Sequence, residues 1–355
     1  MKKIYEVFGT DAFSMTVSLL ESAEVEKIIP KKDAVIALKP NLIHDDIPEN
    51  GAVTHPGVVA GCVDYLKKRG FHNIEVVESS WVGANTQRSF VRSGMKKVCE
   101  DYGIPFYDLK KDATVVVETP FRPIRVCKRA YDADFLMDLP VLKGHCQTRM
   151  TCALKNLKGC IPDQEKRQFH SDGLTKPIAA LAAVLHPDFT IVDSICGDLN
   201  FEEGGNPVQT NRMYAGCDAV NLDAYGCRLM GLSISDVGYL PLAAQWGAGE
   251  LSLEDTEIIR LNEPVDSREY PKPTGKVAAL TRRVHQNQAC SACYASLVRA
   301  LYLSQGKLAD RGDIFIGQGF KGKALDGIGI GRCCENATVC VKGCPPTAEE
   351  ILNLL

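Results

Sequence analysis

The sequence predicts an α/β protein in two parts: a larger α/β domain with a mixed or mostly parallel sheet, and a small cysteine-rich C-terminal domain. In the first part, short apolar strands alternate with helical segments, which is the order that builds a sheet covered by helices. Six of the fifteen cysteines fall in the last 66 residues. The charged segment 263–275 holds three prolines and is typical of a linker, so we place the domains at 1–280 and 281–355.

Each predicted strand of the larger domain is a short apolar run, and each predicted helix has an apolar period near 3.6 residues. The predicted strands are 34–38, 73–78, 114–118, 135–137 and 189–192. The predicted helices are 56–68, 88–102, 176–185 and 219–230. Pro56 in the first turn and Gly70 after the last turn set the limits of the first of these helices.

The small C-terminal part is predicted to contain a helix over 291–303, a strand over 313–316 and a last helix over 351–355. Thr347 and Glu350 match a capping box before that last helix. A segment with so little regular structure usually needs a staple such as a metal.

Charge and hydropathy exclude several classes of protein. Lys and Arg number 41 against 44 Asp and Glu, so the net charge is −3, which argues against binding to nucleic acid or to an anionic membrane. No apolar stretch approaches the roughly 20 residues that cross a bilayer, and the start has no apolar run typical of a signal peptide. We therefore expect a cytoplasmic protein whose thiols serve metal ligation or thiol chemistry rather than disulfides.

The C-terminal cysteines form two groups with metal-ligand spacing. Cys290 and Cys293 form a CxxC pair at the start of a predicted helix, where free N–H groups and the helix dipole favour thiolates. The second group ends in Gly343-Cys-Pro-Pro346, and cysteine followed by proline also ends bacterial ferredoxin motifs. Four thiolates suit either an iron–sulfur cluster or a structural zinc, and the wide spacing favours one 4Fe–4S cluster.

The expected ligands are Cys290, Cys293, Cys333 and Cys344, and Cys334 or Cys340 remains an alternative to Cys333. The alternative interpretation is that these cysteines are small buried apolar residues without a metal. Gly317 to Gly322 formally matches the dinucleotide motif GxGxxG, but no helix follows it, so we interpret its glycines as loop closure around the cluster.

Basic and polar residues follow the predicted strands of the larger domain, where open α/β sheets bind ligands. We expect them to form a pocket for a carboxylate or phosphate: Lys39, Asn41, Lys143, His145, Lys155, Asn156 and His170. Lys143, His145 and His170 are the candidate catalytic groups, with the histidines as proton donors, and the other four are candidate ligand-binding groups. The acidic stretch from Asp193 to Pro207 could hold a hard cation, although a solvated loop is the commoner origin of such a stretch.

These segments together resemble the DUF362 family, uncharacterised proteins often found with iron–sulfur clusters. The resemblance lies in Lys39-Pro-Asn-Leu42, Thr54-His-Pro56, Val76-Val-Glu-Ser79, Leu142-Lys-Gly-His145, Thr151-Cys-Ala-Leu-Lys-Asn-Leu-Lys-Gly159, the His170 segment, the Asp193 loop, Ile330-Gly-Arg-Cys333 and Gly343-Cys-Pro-Pro346. Many relatives carry an additional eight-cysteine ferredoxin module, which this chain lacks. The resemblance implies a cluster but supplies no reaction.

The leading hypothesis is an iron–sulfur redox or electron-transfer enzyme. It would act on an anionic small molecule in the Lys/His pocket and exchange electrons with a redox partner protein. Such a function requires the cysteine-rich part to fold back over the strand ends. A second hypothesis is a ligand-binding or sensing protein in which the cluster or a zinc is structural. A third is a dehydratase-like enzyme with an open iron site, which would need only three thiolates.

Overall fold

The computed structural model describes residues 2–198, 207–264, 276–305 and 307–354. Its strands, in chain order, are β1 Lys2–Phe8, β2 Ile36–Pro40, β3 Ile74–Glu78, β4 Phe106–Asp108, β5 Thr114–Val117, β6 Ile124–Cys127, β7 Phe135–Leu139, β8 Lys143–His145, β9 Arg149–Thr151, β10 Phe189–Asp198, β11 Pro207–Gly216, β12 Thr256–Arg260, β13 Val284–Gln286, β14 Ile314–Ile316, β15 Leu325–Ile330 and β16 Ala337–Val341. Its α-helices are α1 Ala12–Ala23, α2 Pro56–Lys68, α3 Thr86–Arg92, α4 Met95–Tyr102, α5 Lys128–Asp132, α6 Ala153–Asn156, α7 Asp163–Ser171, α8 Thr175–Ala182, α9 Ala219–Leu229, α10 Tyr239–Gln245, α11 Lys276–Leu280, α12 Ser291–Leu303 and α13 Ala348–Leu352.

An eight-stranded sheet organises the larger part of the molecule, in the order β12-β1-β11-β10-β7-β2-β3-β4. The run β10-β7-β2-β3-β4 is parallel, and so is the β1–β12 pair. Strand β11 is antiparallel to both β1 and β10. The prediction of an α/β part with a mixed, mostly parallel sheet is therefore confirmed.

Helices cover both faces of this sheet, because successive side chains of its central strands point to opposite sides. In β2, Ile36 and Leu38 belong to a core shared with α1 and α2. Ala37, between them, belongs to a second core that includes residues of α8 and α9. Because β2 is parallel to its neighbours β3 and β7, the carboxyl ends of these three strands lie at the same edge of the sheet. The segments that follow them meet at that edge.

A second, four-stranded sheet lies in the C-terminal part, in the order β13-β14-β15-β16, with all neighbouring strands parallel. It has its own apolar core, to which helix α12 contributes Leu297, Val298 and Leu301. The domain division near residue 280 stays a prediction, and most of the predicted linker, 265–275, lies outside the described residues.

Two predicted elements of the larger part differ in the structure. The helix predicted over 88–102 is two helices, α3 and α4, because Gly94 between them adopts a left-handed backbone with φ of 84°. The strand predicted over 114–118 pairs with β6 in a separate two-stranded hairpin rather than joining the large sheet.

At the C-terminus, Thr347 and Glu350 form the predicted capping box, but the helix begins directly after the cap at Ala348 rather than at residue 351. Among the described residues, no helix combines the length and the apolar character needed to cross a membrane.

Candidate functional site

A cavity of about 70 Å³, measured as the space open to the centres of water molecules, lies at the carboxyl ends of β2 and β3. Its wall comes from both parts of the chain, because residues of the larger part face the first turn of α12 across it. The lining residues are Asn41, Ile43, Glu78, Ser79, Trp81, Val82, Thr151, Lys155, Asn156, Lys158, Gly159, Lys166, His170, Cys290, Ser291 and Ala292.

Positive charge dominates this cavity. Lys155, Lys158 and Lys166 line it, and Lys158 Nζ lies 3.4 Å from His170 Nε2. The one carboxylate in the wall, Glu78, pairs with Lys39 over 2.7 Å. Several ammonium groups around one cavity are the chemistry that can hold a carboxylate, phosphate or sulfate.

The structure brings some of the predicted pocket residues together and separates others. Asn41, Lys155, Asn156 and His170 line the cavity, whereas Lys39, Lys143 and His145 do not. The sequence could not separate these two groups, because lysine and histidine after a buried strand serve equally well as internal supports.

Lys39 forms the floor beneath the cavity rather than its wall. Burial, the largest single effect, would lower the pKa of Lys39, but Glu78 together with the other acidic groups around the ammonium leaves the pKa raised. Gly159 packs directly onto this ion pair, since a Cβ there would lie 2.0 Å from Glu78 Oε1 and 2.4 Å from Lys39 Cε. The pair therefore fixes the backbone that presents Lys155 and Lys158 to the cavity.

Lys143 and His145 support the adjacent β8–β9 hairpin. Lys143 is fully buried, and its Nζ donates to Ala52 O at 2.5 Å. His145 Nδ1 accepts the backbone N–H groups of Gln147 and Thr148 at 3.0 and 2.9 Å. Their predicted catalytic roles stay predictions, and their placement is that of groups that hold a turn.

Lys166 is a cavity residue that sequence reasoning missed. Its Nζ donates to Ser79 O, Ser79 Oγ and Ser80 O at 2.9, 2.6 and 2.7 Å. Burial lowers its pKa to about 8. Its spacing of four residues from His170 places both on one face of α7, which is a signal that could have found it.

A buried carboxyl group lies behind the cavity. Asn156 Nδ2 donates to Asp138 Oδ1 at 2.8 Å and to Lys39 O at 3.2 Å. Burial raises the pKa of Asp138 to about 8, and nearby Asp223 and Glu78 add to this, although Lys39 and the Asn156 hydrogen bond oppose it. Asp138 thus keeps its proton at neutral pH in the folded protein.

Asparagine in place of Asp138 is expected to change how stability depends on pH. In the unfolded chain the carboxyl group loses its proton near pH 4, whereas the folded protein keeps it up to about pH 8, so wild-type stability falls as pH rises through this window. The free energy of unfolding of Asp138→Asn, relative to that of the wild type, should therefore rise by about 1 kcal/mol per pH unit between pH 5 and 8. Urea unfolding across that range measures it, and parallel profiles would contradict the assignment.

Several C-terminal thiols lie within electrostatic range of each other, and one of them, Cys290, lines the cavity. Burial raises the pKa of Cys290, and negative charge on Cys333 and Cys344 raises it further. Burial and then the charges of Cys290, Cys344 and Cys333 raise the pKa of Cys293. Charge on Cys334 also raises the pKa of Cys293, so Cys293 lies within electrostatic range of four other thiols. Within the described ranges, however, no group of three or more His, Cys, Asp or Glu side chains is placed so that it could hold a metal ion.

Backbone hydrogen bonds hold two of the cysteine-bearing turns side by side. Gly331 N donates to Val341 O at 2.8 Å and Arg332 N donates to Gly343 O at 3.0 Å, which holds the turn before Cys333 beside the turn before Cys344. A Cβ on Gly331 would lie 3.7 Å from Cys293 Sγ.

Direct contacts hold the first turn of α12 against the larger part. Ser291 N and Ser291 Oγ each lie 3.4 Å from His170 Nε2. Gln147 Nε2 donates to Ala289 O at 3.0 Å, and Ser291 Oγ donates to Gln147 Oε1 at 3.0 Å. Cys290 thereby lines the same cavity as Lys158 and His170.

The predicted acidic loop is described only in part. Asp193 lies in β10, where its carboxylate accepts the backbone N–H groups of His55 and Ile195 at 2.8 and 3.1 Å. Residues 199–206, which include Glu202 and Glu203, lie outside the described residues. Cation binding by this loop stays a prediction.

Comparison with known proteins identifies the family. A family profile described as "Domain of unknown function (DUF362)" matches residues 36–228, which is more than half of the 355 residues. The chain belongs to the DUF362 family. The DUF362 match covers every cavity residue from Asn41 to His170, whereas the segment with Cys290 and Cys344 lies beyond it.

Individual relatives of this DUF362 protein are distant. The thylakoid-associated protein sll1697 of Synechocystis is 26% identical over 196 residues, which are 54% of this chain and 59% of the relative. The DUF362 chain thus spans less than two thirds of that protein.

Two solved structures resemble parts of the fold. The lactate racemase apoprotein of Thermoanaerobacterium thermosaccharolyticum has a TM-score of 0.45 and 14% identity over 66% of this chain and 57% of its own. A Thermotoga maritima protein has a TM-score of 0.40 and 12% identity over 67% and 60%. Both scores are below 0.5, so neither likeness bears on the site.

Proposed function

We propose that this DUF362 protein is an iron–sulfur redox protein that exchanges electrons with a small anion bound in the cavity. One observation carries the proposal: Cys290, a candidate cluster ligand, lines the same cavity as Lys155, Lys158 and His170. A ligand there would touch both the cationic wall and the sulfur through which an electron would pass.

The donor set suits four-thiolate ligation of one 4Fe–4S cluster. Negative charge on neighbouring cysteines raises the pKa of Cys290 and of Cys293, and positive iron would relieve that repulsion. Cys340 instead responds to Lys342 and Glu335, whereas Cys333 and Cys334 both raise the pKa of Cys293, so we propose Cys333 as the fourth ligand and keep Cys334 as the alternative. Bound in this way, the cluster would accept and release single electrons.

The chain's own side chains would hold the anion and manage protons. Lys155 and Lys158 would bind the anionic group, and Lys166 would fix the Ser79–Ser80 backbone that closes one wall. His170, beside Lys158, would deliver a proton as charge arrives. Ile43, Trp81 and Val82 supply the apolar wall that limits access of water.

A redox partner protein would supply or remove the electrons. Cys344 is exposed, whereas Cys290 faces the cavity, so a partner would approach from the Cys344 side.

We also propose a cytoplasmic location, because fifteen cysteines suit a reducing compartment.

Anaerobic purification followed by iron, acid-labile sulfide and zinc analysis tests the proposal. We expect about four iron and four sulfide per chain, as one cluster of this type contains, and a paramagnetic resonance signal that appears on dithionite reduction. Stoichiometric zinc without colour would exclude the redox function. It would leave the alternative, a ligand-binding or sensing protein with a structural metal, which the contact between Ser291 and His170 also allows.

A further inference from the structure

The loop at Gly317-Gln318-Gly319 presses against the segment that leads into Cys290. Gln318 N donates to Gln288 O at 3.2 Å, and Gly319 N donates to Asn287 O at 3.1 Å. A Cβ on Gly317 would lie 2.0 Å from Asn287 O, and one on Gly319 would lie 2.2 Å from the Asn287 side chain. Only glycine permits this approach on either side of Gln318.

This packing directs the Gln318 amide onto Cys290. Gln318 Nε2 donates to Cys290 Sγ at 3.7 Å and to Arg167 O at 3.3 Å. Arg167 lies on α7 between Lys166 and His170, which both line the cavity. One amide thus connects the sulfur of Cys290 to the helix that forms part of the anion site.

Positive charge reinforces this hydrogen bond. Lys158 lines the same cavity as Cys290, so its ammonium group adds positive charge on this side of the sulfur. An N–H donor and nearby cations stabilise whichever state of a sulfur-ligated centre carries more negative charge, and that is the reduced state.

We infer that Gln318 is a positioning residue that raises the reduction potential of the cluster by donating to Cys290 Sγ and that it ties this sulfur to α7. The inference rests on the proposed function, because it concerns the cluster proposed there. It assigns a role to the glycine-rich motif that has no nucleotide-binding context, since the two glycines are what allow the amide to reach the sulfur.

Three substitutions at position 318, which change the hydrogen-bond donor and the charge in different ways, test this role. Gln318→Leu removes the donor, Gln318→Glu replaces it with an anionic acceptor of nearly the same shape, and Gln318→Lys keeps a donor and adds positive charge. Thr338→Val, a polar-to-apolar change at an exposed position of strand β16 in the same sheet, is the matched control. Each protein is purified anaerobically and titrated potentiometrically, with the paramagnetic resonance of the reduced cluster as the readout.

We expect Gln318→Leu to shift the ratio of reduced to oxidised cluster about tenfold toward the oxidised form, which is about 59 mV for one electron. Gln318→Glu should shift it further in the same direction, while Gln318→Lys should not lower the potential and Thr338→Val should leave it unchanged. Because Gln318→Glu is nearly isosteric, it keeps the test open if the leucine variant is unstable.

The outcomes separate this inference from the proposed function. Wild-type protein without iron would overturn both. Wild-type protein with a reducible cluster, combined with equal potentials in the glutamine, glutamate and lysine proteins, would overturn only the role of Gln318. If the reduction potential fell equally in Gln318→Leu and Gln318→Lys, the contribution of Gln318 would be merely structural. That result would also contradict the inference.

Discussion

Serine in place of Cys293 is expected to remove nearly all of the iron from anaerobically purified protein. The Cys293 sulfur lies beside Gly331 and within electrostatic range of Cys290, Cys344 and Cys333, so it is central to the proposed ligand set. Loss of one thiolate leaves three ligands for a cluster that takes four. Iron and sulfide analysis measures the loss directly, and the visible absorbance of the protein should fall with it.

Cys340→Ser is the matched control for this experiment. Cys340 has a comparable sequence context, but its sulfur is influenced by Lys342 and Glu335 rather than by the other candidate ligands. We expect its iron content to equal that of the wild type, and Cys333→Ser to behave like Cys293→Ser. Iron retained in Cys293→Ser, or lost in Cys340→Ser but not in Cys333→Ser, would contradict the assigned ligands.

Alanine in place of Lys158 is expected to weaken anion binding by about 10- to 100-fold. Lys158 lines the cavity, contacts His170 and favours the ionised form of Cys290, so its ammonium group faces the proposed anion. A hydrogen bond to a charged group contributes about 1.5–3 kcal/mol, and each 1.4 kcal/mol is a tenfold change in affinity. Calorimetric titration with inorganic phosphate and with acetate measures the effect and distinguishes the two anion types.

Lys97→Ala provides the control, because Lys97 is exposed on α4 and pairs only with Asp101 one turn away among the described contacts. Its affinity for phosphate or acetate should match that of the wild type. Equal loss in Lys97→Ala and Lys158→Ala would indicate nonspecific attraction of the anion to surface lysines rather than binding in the cavity. Unchanged affinity in Lys158→Ala would place the anion elsewhere.

Local sequence signals predicted the elements with strong chemical limits. Helix α2 runs from Pro56 to Lys68 and α12 from Ser291 to Leu303, as predicted, because a proline or a CxxC pair marks each start and apolar residues recur at helical spacing. Strand β11 went unpredicted because its first half is polar and partly exposed, so its place in the sheet depends on pairing with β10.

The sequence did not determine which of its polar residues would line the cavity. The segment from 143 to 170 contributes Lys155, Lys158 and His170 to the cavity wall, whereas Lys143 donates to Ala52 O and the unpredicted Lys166 lines the cavity. Charge on a side chain does not encode whether backbone carbonyls or a ligand will satisfy it, since both accept the same hydrogen bonds. Tertiary contacts decide that choice.

The central claim is that the cluster lies beside the cavity that binds the anion. Its most direct test is the paramagnetic resonance spectrum of dithionite-reduced protein, recorded with and without saturating inorganic phosphate. Because Cys290 lines the cavity, phosphate bound there should change the spectrum of the wild type and leave that of Lys158→Ala unchanged at the same concentration. A reducible cluster whose spectrum stays the same while calorimetry shows phosphate bound would contradict the account.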